Sequence, residues 1–178
     1  MQNNEKKLRV VHLFSGIGAP ERALTRLKIP FEIVGYSEID KYAIKAYKAL
    51  NGDVPSLGDA TQIDFSQIDT RGIDLVIGGF PCQAFSAAGK RAGFDDLRGT
   101  MCFHMAKAIK ELRPKYFLFE NVQGLLTHDK GKTIRVILEV FSGLGYEITM
   151  DMLNAKDYLV PQNRSRIFCL GRRIDDCQ

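Results

Sequence analysis

Residues 9–18 read Arg9-Val10-Val11-His12-Leu13-Phe14-Ser15-Gly16-Ile17-Gly18. The first five form a short, mostly apolar run of strand length. The glycine-bearing stretch 14–18 is a turn, and Leu24 and Leu27 beyond it sit at helical spacing. Strand, glycine turn and helix together make the opening unit of a sheet wound on both faces by helices.

The rest of the chain repeats that alternation. Ile33-Val34-Gly35-Tyr36 predicts a second strand, and Asp40 can cap a helix carrying Ala43, Ile44, Tyr47 and Leu50. A short extended segment near Leu57 follows, then a strand from Asp74 to Gly78 and a polar loop from Phe80 to about Asp95. Met105, Ala108, Ile109 and Leu112 mark the next helix, Tyr116 to Phe119 a strand, and Lys132 to Leu144 a further helix. The last two strands, near Tyr146 to Leu153 and Arg166 to Leu170, have no helix between them, which predicts an antiparallel pair. Several strands are apolar on both faces, as in parallel sheets covered on both sides. The expected fold is therefore α/β, doubly wound and mostly parallel, with an antiparallel C-terminal strand. Residues 1–7 read as a polar tail and residues 8–178 as one domain.

Composition is that of a globular chain with room for a core: 178 residues, 45% hydrophobic and 26% charged. The longest apolar runs are strand-sized, and the polar start lacks a signal-peptide core, so a soluble, cytoplasmic protein without a membrane partner is expected. Cys82, Cys102, Cys169 and Cys177 form no CxxC pair, which suggests neither a disulfide framework nor a metal site. Net charge is +4; residues 1–89 are balanced at ten Lys or Arg against ten Asp or Glu, while residues 90–178 hold fifteen against eleven. The excess permits an anionic partner.

Ligands of such sheets bind at the carboxyl ends of the strands. The segments expected there are Phe14 to Gly18, Ser37-Glu38, Gly58-Asp59, Phe80-Pro81-Cys82-Gln83 and Glu120-Asn121-Val122. Glu38, twenty residues beyond Gly18, suits the hydroxyls of a ribose, or else a helix cap. The turn lacks the Gly-Lys-Ser/Thr ending of a phosphate loop, and Glu21 stands where a dinucleotide fingerprint has glycine, so a nucleoside cofactor without phosphates fits better. Asp59 could take an exocyclic amine. Cys82 opens a polar loop at a strand end, the exposed setting a thiolate nucleophile needs, although most free cysteines are buried hydrophobes. Glu120 follows an apolar run that would keep it available as an acid, and Arg164 and Arg166, at alternate positions, face one side.

In order and spacing, Phe14-Ser15-Gly16-Ile17-Gly18, Glu38, Gly58-Asp59, Gly79-Phe80-Pro81-Cys82-Gln83, Arg98-Gly99-Thr100, Glu120-Asn121-Val122 and Gln162-x-Arg164-x-Arg166 resemble the motif series of the cytosine-C5 DNA methyltransferases. The resemblance covers about Leu8 to Gly171. It implies a Rossmann-like methyltransferase fold, S-adenosylmethionine as donor, DNA as partner, and a place in restriction-modification. It also implies that Cys82 attacks C6 of a flipped-out cytosine, that Glu120 bonds or protonates N3, and that Arg166 and Arg164 serve the cytosine O2 and the catalytic loop. Phe14, Gly16, Ile17, Gly18, Glu38, Ile39, Asp59, Ala60, Pro81 and Met101 would hold the cofactor. Gln83, Ser86, Lys90, Asn121, Val122 and Gln162 would meet the substrate, with the stretch 83–96 closing over DNA.

Two departures stand out. Ala19-Pro20 replaces a common glycine and aromatic, which a helix's first turn tolerates. The family's target-recognition region and returning C-terminal helix are not found in residues 1–178, so a second polypeptide supplying them is expected. A non-catalytic cofactor-binding or regulatory remnant and an RNA cytosine methyltransferase stay open as alternatives. A thymidylate-synthase-like enzyme also uses a Pro-Cys nucleophile, but the glycine turn with Glu38 argues against it.

Overall fold

The structure, a computed structural model, describes residues 6–81 and 100–174. The opening run becomes β1 (Leu8–Leu13), followed by α1 (Ala19–Arg26), β2 (Phe31–Ser37), α2 (Lys41–Asn51), β3 (Ser56–Gly58) and β4 (Leu75–Gly78). After these come α3 (Met101–Leu112), β5 (Tyr116–Val122), α4 (Lys132–Gly143), β6 (Tyr146–Asn154) and β7 (Ser165–Arg173). The strands form one sheet in the order β3-β2-β1-β4-β5-β7-β6. The first five run parallel, and β7 enters antiparallel between β5 and β6. Among the described residues, no helix is long and apolar enough to cross a membrane.

Neighbouring residues on one strand feed opposite cores, which explains why the central strands are apolar throughout. Val11, Val76, Phe117 and Phe119 pack with Met105 and Ile109 of α3 and with Ile137 and Phe141 of α4. Val10, Ile33, Tyr36 and Ile77 pack on the other face with Tyr47 of α2, against the partly buried Leu24 of α1 and Ile44. That second core is smaller. Where it stops, Leu24 of α1 and Leu27 just beyond its end face Leu75, Ile77, Leu118 and Phe168 of the sheet across a cavity of about 620 Å³.

Local chemistry sets the helix starts. The Asp40 carboxylate accepts from the N–H groups of Tyr42 and Ala43 at 2.9 and 2.7 Å, and the Thr100 hydroxyl accepts from Phe103 N–H at 3.2 Å. Pro20 lies in the first turn of α1, behind the left-handed Gly18 (φ 86°).

Strand β5 is longer than its apolar run implied. The parallel pairing with β4 ends at Gly78 opposite Phe119, but antiparallel β7 continues the ladder, pairing Glu120 with Phe168, Asn121 with Ile167 and Val122 with Arg166. Glu120, Asn121 and Val122 are therefore strand residues, not a loop beyond the strand. The same pairing places Arg166 inside β7.

Candidate active site at the carboxyl edge of the sheet

In an extended strand, residues two apart share a face. Glu120 and Val122 of β5 and Phe168 and Arg166 of β7 thus lie on one side of the sheet, beside Leu153 of β6, which is paired with Arg166. The Glu120 carboxylate stands 2.9 Å from Arg166 Nε and 3.9 Å from an Arg164 terminal nitrogen. Arg166 also donates to the Ser165 carbonyl at 2.8 Å, which fixes its fork. The expected apolar surroundings of Glu120 are instead two guanidinium groups, and the carboxylate keeps about a third of its surface exposed.

The neighbouring strand end is tied to this pole. The Asn121 side-chain amide, buried, donates to the Phe80 carbonyl at 2.9 Å, while its oxygen accepts from Val122 N–H. Phe80 is buried against Phe119, ring centroids 5.2 Å apart. A Cβ on Gly79 would lie 3.5 Å from Glu120 Oε2, so the backbone at Gly79 lies against the carboxylate. Pro81 is the last described residue of that segment and is exposed. Cys82, Gln83, Ser86 and Lys90 lie outside the described residues, as do Arg98 and Gly99. Of the other cysteines, Cys102 and Cys169 are buried free thiols. Burial pushes both up, Cys169 to about 12, which leaves them without thiolate to react.

At the other end of the same edge, the glycine turn is held from two sides. Ser15 N–H donates to the Ser37 carbonyl at 3.0 Å, and Gly16 N–H donates to Glu38 Oε2 at 2.8 Å. Glu38 Oε1 accepts from Ile39 and Asp40 N–H. The turn needs this anchoring because Phe14, Gly16 and Gly18 all have positive φ (54°, 54° and 86°), a conformation that penalises Phe14. Ser37, which sequence reasoning left without a role, ties β2 to β3 by donating to the Gly58 carbonyl at 2.7 Å. Asp59 accepts from Thr61 N–H at 2.8 Å, and that hydrogen bond holds its carboxyl below the usual range. Ile17 and Ile39 are exposed; Ala60 is buried in the core that packs against α3, and Met101 is half-buried at the start of α3.

The cavity of about 620 Å³ joins the two ends: Phe14 and Ser15 wall it at one, Gly79, Glu120 and Arg164 at the other. Glu38 and Asp59 lie on the same edge outside its wall. Gln162 borders a separate polar hollow of about 450 Å³ with Val122, Arg164 and Arg166. Among the described residues, no group of three or more His, Cys, Asp or Glu side chains is arranged to hold a metal.

Beneath the turn lies a group that the sequence did not reveal. His12 Nδ1 is 2.6 Å from Glu21 Oε1, which also accepts the Tyr47 hydroxyl at 2.7 Å; His12 and Glu21 are 3% and 1% exposed. Glu21 points into the interior, so it does not present to a ligand the charge expected from the sequence to repel a phosphate. A histidine inside an apolar strand was the available signal.

Comparison with known proteins adds to this geometry. The family described as C-5 cytosine-specific DNA methylase matches residues 8–177. An orphan methyltransferase, M.Rho11sI of Bacillus phage rho11s, is 51% identical over 171 residues, covering 95% of this chain and 34% of that protein. Another, M.SPRI of Bacillus phage SPR, is 49% identical over 171 residues, covering 95% and 38%. The crystal structure of the S. pombe Dnmt2 methyltransferase superposes with a TM-score of 0.75 at 25% identity, covering 94% of this chain and 50% of that one. The chain thus spans a little over a third of the length of these phage relatives.

Proposed function

The chain belongs to the C-5 cytosine-specific DNA methylase family, and from that membership we propose that it is the catalytic part of an enzyme that methylates C5 of cytosine in DNA. The observation that carries this is the Glu120 carboxylate beside Arg166 at 2.9 Å and against Gly79, three positions before Cys82 in the sequence.

The donor set fits S-adenosylmethionine. A Cβ at Gly16 or Gly58 would meet nothing within 4 Å, which leaves open space over the turn and over the end of β3. Glu38 offers a carboxylate to ribose hydroxyls and Asp59 one to the adenine amine, and the turn, residues 14–18, carries no cation for phosphate. When bound, this cofactor supplies an electrophilic methyl on a sulfonium. Phe14, Ile17, Gly18, Ile39, Ala60, Pro81 and Met101 complete the pocket.

On the substrate side, the Cys82 thiolate adds to C6 of an extruded cytosine, forming an S–C6 bond and pushing an electron pair to C5. Glu120, acting as the acid, hydrogen-bonds N3 through its proton as negative charge develops there, and Arg166 orients the carboxyl group while reaching toward O2. After methyl capture, loss of the C5 proton and departure of the thiolate restore the ring. Val122 and Gln162, with Gln83, Ser86 and Lys90 from the segment outside the described residues, would contact the nucleotide, whereas Asn121, buried and bonded to the Phe80 carbonyl, would serve by holding the two strand ends together. The partly exposed floor of the groove, Leu75, Leu118 and Phe168, supports a further part of the enzyme seated on it, a second polypeptide that also brings target recognition.

The test is a trap. With labelled S-adenosylmethionine and 5-fluorocytosine DNA, the chain, supplied with the polypeptide encoded next to it, should form a denaturation-stable adduct. Cys82→Ser should abolish it. An adduct that survives this substitution overturns the mechanism, and no adduct under any condition favours a non-catalytic remnant.

A further inference from the structure

Between β6 and β7 the chain makes a single 3-10 turn, Ala155–Tyr158, and leaves it through Leu159 at φ 62° and ψ 22°. Leu159 is 99% exposed, and its neighbours Tyr158 and Val160 are 60% and 44% exposed. An apolar side chain that buries nothing gives folding no return. The left-handed backbone adds a cost that glycine would avoid. Such a residue is disfavoured twice by the isolated fold, which directs attention to what it touches in a complex.

Its position identifies the partner. Tyr158 walls a cavity of about 270 Å³ together with Glu120, Arg164 and Arg166, so the tip adjoins the reacting pole. The same two arginines border the polar hollow with Gln162 and Asn163. Over residues 154–166 the cations Lys156, Arg164 and Arg166 face one acid, Asp157. An apolar point set among arginines and amides matches a nucleic acid duplex, whose phosphates take the cations while its base steps take the wedge.

We propose that Leu159, flanked by Tyr158 and Val160, is an apolar contact to the DNA beside the target cytosine, pressing on the base step that opens when the cytosine leaves the stack. This rests on the function proposed above. Arg164 and the polar hollow hold the backbone, and Leu159 meets the exposed faces of the neighbouring bases. The contact adds no counterion release, since it neutralises no phosphate.

The test uses Leu159→Gly and Leu159→Met in the full chain, with the polypeptide encoded next to it present in every arm. Binding is read by fluorescence anisotropy on a cytosine-containing duplex, either fully paired or with the cytosine mismatched. Leu159→Gly should melt no lower than the parent and yet bind the mismatched duplex about tenfold more weakly. Its dependence on salt concentration should be unchanged. Leu159→Met, which keeps the apolar bulk, should bind as the parent does. Equal affinity of parent and Leu159→Gly overturns the contact. So does a loss confined to binding of the second polypeptide, which would make the tip a protein-docking surface. A parent that binds no DNA refutes instead the function on which the proposal rests.

Discussion

His12 and Glu21 meet in the interior with Nδ1 2.6 Å from Oε1, and the Tyr47 hydroxyl donates to that same oxygen at 2.7 Å. Three elements, β1, α1 and α2, are thereby joined through one carboxylate oxygen directly under the glycine turn. Gly18 abuts the group so closely that a Cβ there would lie 3.2 Å from Glu21 Oε2 and 3.1 Å from the Tyr47 ring.

Removing the hydroxyl alone isolates one of these bonds. Tyr47→Phe keeps the ring stacked on Tyr36, centroids 4.1 Å apart, but deprives a buried carboxylate of a donor. The expected cost is about 1.5–3 kcal/mol, a fall in melting temperature of roughly 3–12 °C for a domain of this size. Thermal unfolding followed by circular dichroism reads it. An unchanged melting temperature would mean that the carboxylate does not depend on this hydroxyl.

The same group gives stability a pH signature. Burial would raise the Glu21 carboxyl, but the hydrogen bond and charge of His12 and the Tyr47 hydroxyl outweigh it and hold it below its ordinary 4.5. Burial and the Glu21 carboxylate push Tyr47 far above its ordinary 10.0. A carboxyl lowered in the folded state contributes stability that is present above 4.5 and lost as pH falls through the lowered value; a raised phenol contributes below 10.0 and loses it as pH rises further. Urea unfolding across a pH series should therefore show an acid-side loss in the parent that is reduced in Glu21→Gln, and an alkaline-side loss that is reduced in Tyr47→Phe. Parallel curves for parent and variants would contradict this.

At the reacting pole, Glu120→Gln preserves shape and one acceptor beside Arg166 but removes the charge. Methyl transfer should fall by about 10²–10³-fold, while S-adenosylmethionine measured by equilibrium dialysis binds as before, because Glu38 and Asp59 are untouched. A variant that loses cofactor binding in proportion to rate would place Glu120 in the wrong half of the site.

Packing sets a sharper constraint at Gly171 of β7. The Phe117 ring of β5 lies across it, and an added Cβ would come within 2.0 Å of the ring edge. Phe117 is itself enclosed by Phe119, Phe141 and Tyr146, so it cannot move aside without cost. Gly171→Ala should destabilise by about 3 kcal/mol, and a denaturation midpoint equal to the parent's would show that the ring has room to turn.

Much of this architecture was legible in the sequence because it depends on neighbours along the chain. The strand-turn-helix unit at residues 9–27, the Asp40 cap and the antiparallel last pair follow from local spacing and turn chemistry. The end of β5 was not legible, since Glu120 to Val122 become strand only through β7, supplied by residues about 45 positions later. The His12, Glu21 and Tyr47 group was hidden for the same reason. Each of the three residues has an ordinary local reading, and only the packing of three elements turns them into one unit. The left-handed Phe14 and Leu159 likewise leave no trace in a pattern of polar and apolar letters.

The placement of β7 bears on how the chain emerges from a ribosome. Strand β6 is synthesised first, yet its ladder partner in the sheet is β7. Until residues 165–173 appear, β6 has no edge to join, and β5 offers an open, aromatic margin to the surrounding solution. The half of the domain carrying the glycine turn and Glu38 needs no such wait, because β1 to β4 are made before β5 and pair among themselves. Arg166, the partner of Glu120, arrives on the strand that closes the sheet, so the turn and its Glu38 anchor can be in place well before the Glu120–Arg166 pair forms.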